Sequence, residues 1–345
     1  MRITWQTARL ELARPLRISR ASMSGRDAVW IRIRDGDESG WGEVVTSPRL
    51  GLDTPAILSA LAGWIARGLP PDPEALRASL PRVRQTLPPP VACAVDAAVH
   101  DLLARRAGVA VAAALGVPPR HRMPTACTIG LTGPRAAAER ADALVAAGFS
   151  VIKIKLGDPD PAADIAAVRA VRHAAPGAAL LLDPNGAWDV ATAVHVLRTL
   201  AELDIAAVEQ PVPAGRRPWL AEVCAAVPVP IVADEDAATP ADLDELPAGI
   251  GGVNIKLAEC GGLDAGLTMA ARAADRGWQV LLGCQAASSL GIAPAAHLLG
   301  RARWADLDGH LLLADDPWTG LGGADGLLDT PAGPGLGVTR ATEAR

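Results

Sequence analysis

The feature that most constrains this chain is a period. From about residue 125 onward one pattern recurs: a short apolar strand, a loop holding a polar residue, then a helix rich in Ala, Leu and Val. Candidate strands fall at 127–131, 151–155, 179–183, 206–209, 230–234, 252–256, 279–283 and 305–308, so successive strands begin 22 to 28 residues apart. That is the length of one strand plus one returning helix, and a run of such units implies parallel strands with the helices outside. An open sheet would leave two edges unpaired, whereas closure removes both, and no GxGxxG follows any strand to support a doubly wound alternative. The fold class is therefore α/β, a (βα)7β TIM-type barrel over 121–315. Before it, 1–120 read as an α+β capping domain, with extended segments at 4–12 and 28–35 and helical runs at 54–69 and 91–107. The Gly- and Pro-rich segment 316–345 has no place in the barrel count and is expected to return to the capping domain.

Charge narrows the function. Lys plus Arg number 33 against 38 Asp plus Glu, a net charge of −5, so the chain lacks the basic field that holds nucleic acid or an anionic membrane. No stretch reaches the roughly 18 apolar residues of a membrane span, and the first residues show no apolar core followed by a cleavage site. Five scattered cysteines with no CxxC argue against a disulfide framework and a structural zinc, and the protein reads as cytoplasmic. Of the 33 basic residues only three are lysine: Lys153, Lys155 and Lys256. Arginine stays protonated in practice, whereas a lysine amine can take up and release a proton, so three retained lysines invite a chemical reason.

In a barrel of this kind the site forms at the C-terminal strand ends. Strand two ends Lys153-Ile154-Lys155, strand three in Asp183, strand four in Glu209, strand five in Asp234 and strand six in Lys256. Three carboxylates on successive strands repel one another unless a cation joins them, and all-oxygen ligation favours Mg²⁺, or Mn²⁺, over zinc. Strand alternation sends Lys153 and Lys155 to the same face, and Lys256, four strands on, lies across the ring from Lys155. Two amines on opposite sides of a metal-held carboxylate suit removal of an α-proton on one face and its return on the other. That is racemisation or epimerisation through a metal-stabilised enediolate, with Lys153 adding positive charge. Asp306 and Asp308 share a face at strand eight and form a second negative locus, apart in strand order from the first. A dipeptide, with its carboxylate at the metal and its ammonium at this pair, would span the two. Thr128, on the first barrel strand, joins the candidate substrate contacts.

Together the KxK, DPNGAW, VEQP, ADED and NIKLAECGGL motifs closely resemble the muconate lactonizing subgroup of the enolase superfamily, over nearly the whole chain. Within it, the DxD of WADLDGH is similar to that of the dipeptide epimerases, where the pair binds the substrate's N-terminal ammonium. The resemblance implies that Asp183, Glu209 and Asp234 hold Mg²⁺, that Lys155 and Lys256 are the acid/base pair, and that Lys153 assists electrostatically. It also implies an arginine in the first-domain loop for glutamate-specific members. Here Met23 takes that place, which predicts an uncharged or hydrophobic side chain rather than Glu, with Arg20 and Arg26 nearby as candidates to reach the substrate. At the end of strand seven, Ala287 stands where several members carry a carboxylate. An N-acylamino acid racemase, an o-succinylbenzoate synthase or a cycloisomerase would use the same lysines and metal, and a catalytically silent binding barrel is the reading from another class. The Ala-rich outer helices leave a homo-oligomer open.

Overall fold

A computed structural model describes residues 1–341, so the last four residues of the expected C-terminal segment lie outside the described residues. The chain opens with an antiparallel sheet of β1 (Arg2–Ile18), β2 (Ala21–Asp35) and β3 (Glu38–Val45), in that order. Both faces of β2 are buried. Val29, Ile31 and Ile33 pack on the helices that follow, while Ala28 and Trp30 join the cluster that includes the barrel. Ala28 to Ile31 therefore form a continuous buried run, because the sheet lies between two layers rather than against one.

The helices are α1 (Thr54–Ala66), α2 (Pro73–Ala78), α3 (Leu80–Thr86), α4 (Pro89–Arg106) and α5 (Val111–Ala114). Proline at the start of α4 pre-sets the helical φ where no N–H is needed, so the helix begins two residues before the expected run. Its alanine face lets β3 approach closely: a Cβ on Gly42 would lie 1.9 Å from the Ala94 carbonyl oxygen. Any side chain there would push the helix off the sheet.

The barrel follows β4 (Met123–Pro124) and runs β5 (Ala126–Ile129), α6 (Pro134–Ala146), β6 (Val151–Lys155), α7 (Pro161–Ala174), β7 (Ala179–Asp183), α8 (Val190–Thr199), β8 (Ile205–Glu209), α9 (Arg217–Ala226), β9 (Ile231–Ala233), β10 (Gly252–Ile255), α10 (Leu257–Cys260), α11 (Leu263–Asp275), β11 (Gln279–Gly283), α12 (Ser289–Ala296) and β12 (Trp304–Asp306). The eight strands β5 to β12 are parallel neighbours in sequence order, and a bridge between Thr125 and Ala305 joins the last to the first. One crossover departs from the repeat. Between β9 and β10 the chain makes two 3-10 turns, Glu235–Ala237 and Asp242–Glu245, and no α-helix among the described residues. Pro240 and Pro247 interrupt the helical pattern there.

Three short strands end the described chain: β13 (Trp318–Thr319), β14 (Leu327–Leu328) and β15 (Thr339–Arg340). β14 pairs with β4 and β15 with β13. Trp318 meets Trp30 and Trp41 edge-on at 5.8 and 5.3 Å, and Leu336 N donates to Asp101 of α4, which ties this segment to the first sheet and helices. Among the described residues no helix is long and apolar enough to cross a membrane.

Candidate active site

Strand periodicity builds the site in layers. Ala126, Val151, Leu181, Ala207, Val232 and Leu281 form a separate apolar cluster inside the barrel. Two residues further along each strand, the same inward direction is taken by Thr128, Lys153, Asp183, Glu209, Asp234 and Gly283. The apolar plug thus floors a charged layer. Gly283 is required in it, since a Cβ there would sit 2.4 Å from the Asn254 side-chain oxygen.

The central charge is Lys153, fully buried, whose Nζ lies 2.6 Å from Glu209 Oε2, 2.7 Å from Asp306 Oδ2 and 3.1 Å from Asp183 Oδ2. Burial alone would favour the neutral amine, but Asp306, Glu209 and Asp183 outweigh it and raise its proton affinity well above that of an ordinary lysine. Lys155 pairs with Asp183 on one side of the three acids, and Lys256 Nζ stands 2.5 Å from Asp234 Oδ2 and 3.7 Å from Glu209 Oε1 on the other. In strand order the two lysines bracket Asp183, Glu209 and Asp234, as the strand ends predicted. Burial pushes Glu209 up to about 7 and Asp234 up to about 6, whereas in Asp183 Lys155 and Lys153 overcome burial and hold the carboxyl well below its usual range.

Two asparagines that the sequence reading missed orient the acids. Asn254 Nδ2 donates to Glu209 Oε1 at 2.9 Å, and Asn185 donates to Asp183 from its backbone at 2.8 Å and its side chain at 3.2 Å. The signal for Asn254 was available: it precedes Lys256 by two residues and so shares its inward face. Among the described residues no three His, Cys, Asp or Glu side chains already stand as a metal-holding group, and lysine ammonium groups lie against the carboxylate oxygens.

Asp306 and Asp308 do not form a separate locus. Adjacency in a list of strands understates proximity in a closed ring, and Lys153 joins Asp306 directly to Asp183 and Glu209. Asp308 is buried and pushed up to about 6 by burial and then by Asp306, and its Oδ2 accepts from Thr128 N at 2.7 Å. Thr128 therefore fixes Asp308 through its backbone.

A cavity of about 400 Å³ opens above this layer, between the strand ends and the loops of the first sheet. Met23, Leu16 and Ile18 line its cap side, and Thr128, Lys155, Lys256, Asp306 and Asp308 its barrel side. Three arginines also reach it: Arg20, Arg26 and Arg49. Arg20 bonds Glu235 at 2.6 Å and the Asn185 carbonyl at 3.1 Å, and Arg49 pairs with Glu259. Arg26 donates to the Thr46 carbonyl. Ala287 does not line this cavity; it borders a smaller one of about 50 Å³ beside Lys256 and Glu43.

Two family models match the chain: "Mandelate racemase / muconate lactonizing enzyme, N-terminal domain" over residues 2–116 and "Enolase C-terminal domain-like" over 136–344. A hydrophobic dipeptide epimerase of Roseobacter litoralis is 34% identical over 98% of this chain and 98% of its own. A substrate-liganded L-Ala-D/L-Glu epimerase from Bacillus subtilis superposes with a TM-score of 0.94 at 28% identity, over 99% of this chain and 98% of that one. A dipeptide epimerase from Methylococcus capsulatus, complexed with Mg and L-Arg-D-Lys, gives a TM-score of 0.89 at 32% identity over 98% and 99% of the two chains. With both domains matched and the charged layer assembled in strand order, the chain belongs to the mandelate racemase / muconate lactonizing enzyme family of the enolase superfamily.

Proposed function

We propose that this protein is a Mg²⁺-dependent dipeptide epimerase that inverts the α-carbon of the C-terminal residue of an L-Xaa-L-Xaa dipeptide, with a hydrophobic or uncharged residue at that carbon. The single observation that carries the reading is the placement of Lys155 and Lys256 on either side of three buried carboxylates, beneath a cavity that also holds a buried DxD pair.

The donor set fits a hard divalent cation. Asp183, Glu209 and Asp234 offer only oxygen, and with Asp306 and Asp308 the buried acids outnumber Lys153, Lys155 and Lys256, so the layer is short of positive charge. These three residues would hold the ion. Mg²⁺ bound there supplies a Lewis acid for the charge that develops on the substrate's carboxylate oxygens. Lys155 and Lys256 act as the acid/base pair: one takes the α-proton while the other, carrying its own proton, delivers it to the opposite face. Lys153, buried and cationic, adds fixed positive charge below the developing negative charge. Asp306 and Asp308 receive the substrate ammonium, with Thr128 orienting Asp308, and Met23 supplies an adaptable apolar wall. The 34% identical hydrophobic dipeptide epimerase supports the side-chain preference. The five free cysteines support a reducing, cytoplasmic setting.

The test is deuterium uptake at the α-carbon in D₂O with Mg²⁺, read by mass spectrometry over dipeptide pools and over N-acylamino acids. Uptake by dipeptides is expected to fall sharply in Asp308→Asn, while N-acylated substrates, which bring no ammonium, should respond little. Exchange confined to N-acylamino acids would remove the dipeptide assignment.

A further inference from the structure

The three cavity arginines differ in one respect. Arg20 and Arg49 are each neutralised by a glutamate, Glu235 and Glu259. Among the described residues Arg26 has no carboxylate within ion-pair distance; its only bond is to a carbonyl, and its Nε is buried without a hydrogen-bond partner. A largely buried guanidinium in this condition is costly, and burial lowers its proton affinity accordingly. Its surroundings offer no internal remedy, so the missing anion or acceptor is a group that enters the cavity.

Position decides which group. Arg26 donates to the carbonyl of Thr46, the residue after Val45; Val45 and Cys284 line one small cavity, and Gly283, just before Cys284, pairs with Asp306 in the barrel sheet. Arg26 thus stands by the end of β11, next to the strand that carries the DxD pair, and lines the same cavity as Asp306 and Asp308. Part of the cap wall is apolar: Leu16 and Met23 pair in the β1–β2 register, with Ile18 and Ala21 beside them. A substrate ammonium and its own side chain leave one α-carbon, so a side chain two or three bonds longer than alanine can turn from Asp306 and Asp308 towards Arg26.

Building on the epimerase reading, we propose that Arg26 makes the site selective for dipeptides whose N-terminal residue carries a carboxylate or amide-oxygen side chain, ahead of a hydrophobic C-terminal residue against Met23. Arg26 is a specificity residue here and takes no part in proton transfer. The planar fork of arginine binds a carboxylate at two points, which a lysine in its place cannot reproduce.

The experiment compares L-Glu-L-Leu, L-Leu-L-Leu and L-Leu-L-Glu in the wild type, Arg26→Met and Arg26→Lys, with Mg²⁺ present. Arg26→Met is expected to lower the kcat/KM ratio of L-Glu-L-Leu to L-Leu-L-Leu by about 10- to 100-fold, carried by KM, as the loss of a charge-assisted hydrogen bond implies. Arg26→Lys should recover part of that ratio. An unchanged ratio in Arg26→Met overturns the inference and leaves the epimerase reading standing, as does a larger effect on L-Leu-L-Glu than on L-Glu-L-Leu. Failure of the wild type to turn over any of a full dipeptide library removes the epimerase reading itself, and the inference with it. Should Arg26→Met fold poorly, the comparison of wild type with Arg26→Lys decides alone: an equal ratio in both overturns the proposal.

Discussion

His297 should make this protein acid-labile at the joint between barrel and capping domain. It follows α12, is buried with zero exposure, and its Nδ1 accepts from Ala112 N of α5 at 3.1 Å, while Nε2 has no partner among the described residues. Burial pushes it down to about 4 from an ordinary 6.5. Because the folded value is depressed, the stability contribution is complete above pH 6.5 and is lost as pH falls towards 4, where the unfolded chain takes a proton that the folded chain refuses. A shift of about 2.5 units corresponds to about 3 kcal/mol in full, of which about 2 kcal/mol is already lost at pH 5. The perturbation is His297→Asn, whose side-chain oxygen can accept from Ala112 N but does not titrate. Urea unfolding followed by tryptophan fluorescence at pH 7 and pH 5 gives the difference, since every other titrating group is common to both proteins. The wild type should lose about 2 kcal/mol more than the variant over that interval. Parallel losses in the two proteins would refute the argument that a buried neutral imidazole is held at the joint.

Lys155→Ala and Lys256→Ala should each lose epimerisation by about 10²-fold or more, and each should retain α-proton exchange from only one of the two epimers, as monitored by NMR in D₂O. Mg²⁺ should raise the Tm of the wild type, by an amount equivalent to about 3 kcal/mol at a hundred times its Kd, and chelation should reverse it; Glu209→Gln should show little of this shift in a thermal melt. Gly262→Ala is expected to lower both Tm and kcat: φ there is +131° and a Cβ would meet Asp96 Cγ at 2.3 Å, so about 1–3 kcal/mol of backbone strain is added to a clash just beyond Lys256. Circular dichroism melts and steady-state rates check it, and a fully active, equally stable variant would contradict the packing.

Much of the fold was legible in the chain because the signal is local. Periodicity located all eight strands of the barrel, with the bounds shifted by one or two residues, so that Asp234 and Lys256 lie just beyond β9 and β10 rather than inside them. The alternation of faces was equally readable: Lys153 and Lys155 do point inward together, and the three acids do stand at the ends of successive strands. β3 was not anticipated, although its GWGE run is buried, since its glycines serve a close approach to α4 that only the packed helix defines. The missing helix after β9 was likewise hidden, since the repeat predicts a helix after every strand.

Sequence by itself determined which groups are present, on which strand, and facing which way, because those follow from covalent spacing and a two-residue period. Tertiary structure decided who shares a charge with whom. Lys153 meets acids from β7, β8 and β12, the last 153 residues away, and Arg20 and Arg49 find glutamates 215 and 210 residues off while Arg26 finds none among the described residues. Closing the ring and seating the cap bring together side chains that no local pattern relates, and in a low-dielectric interior those pairings set the charge of every group in the site.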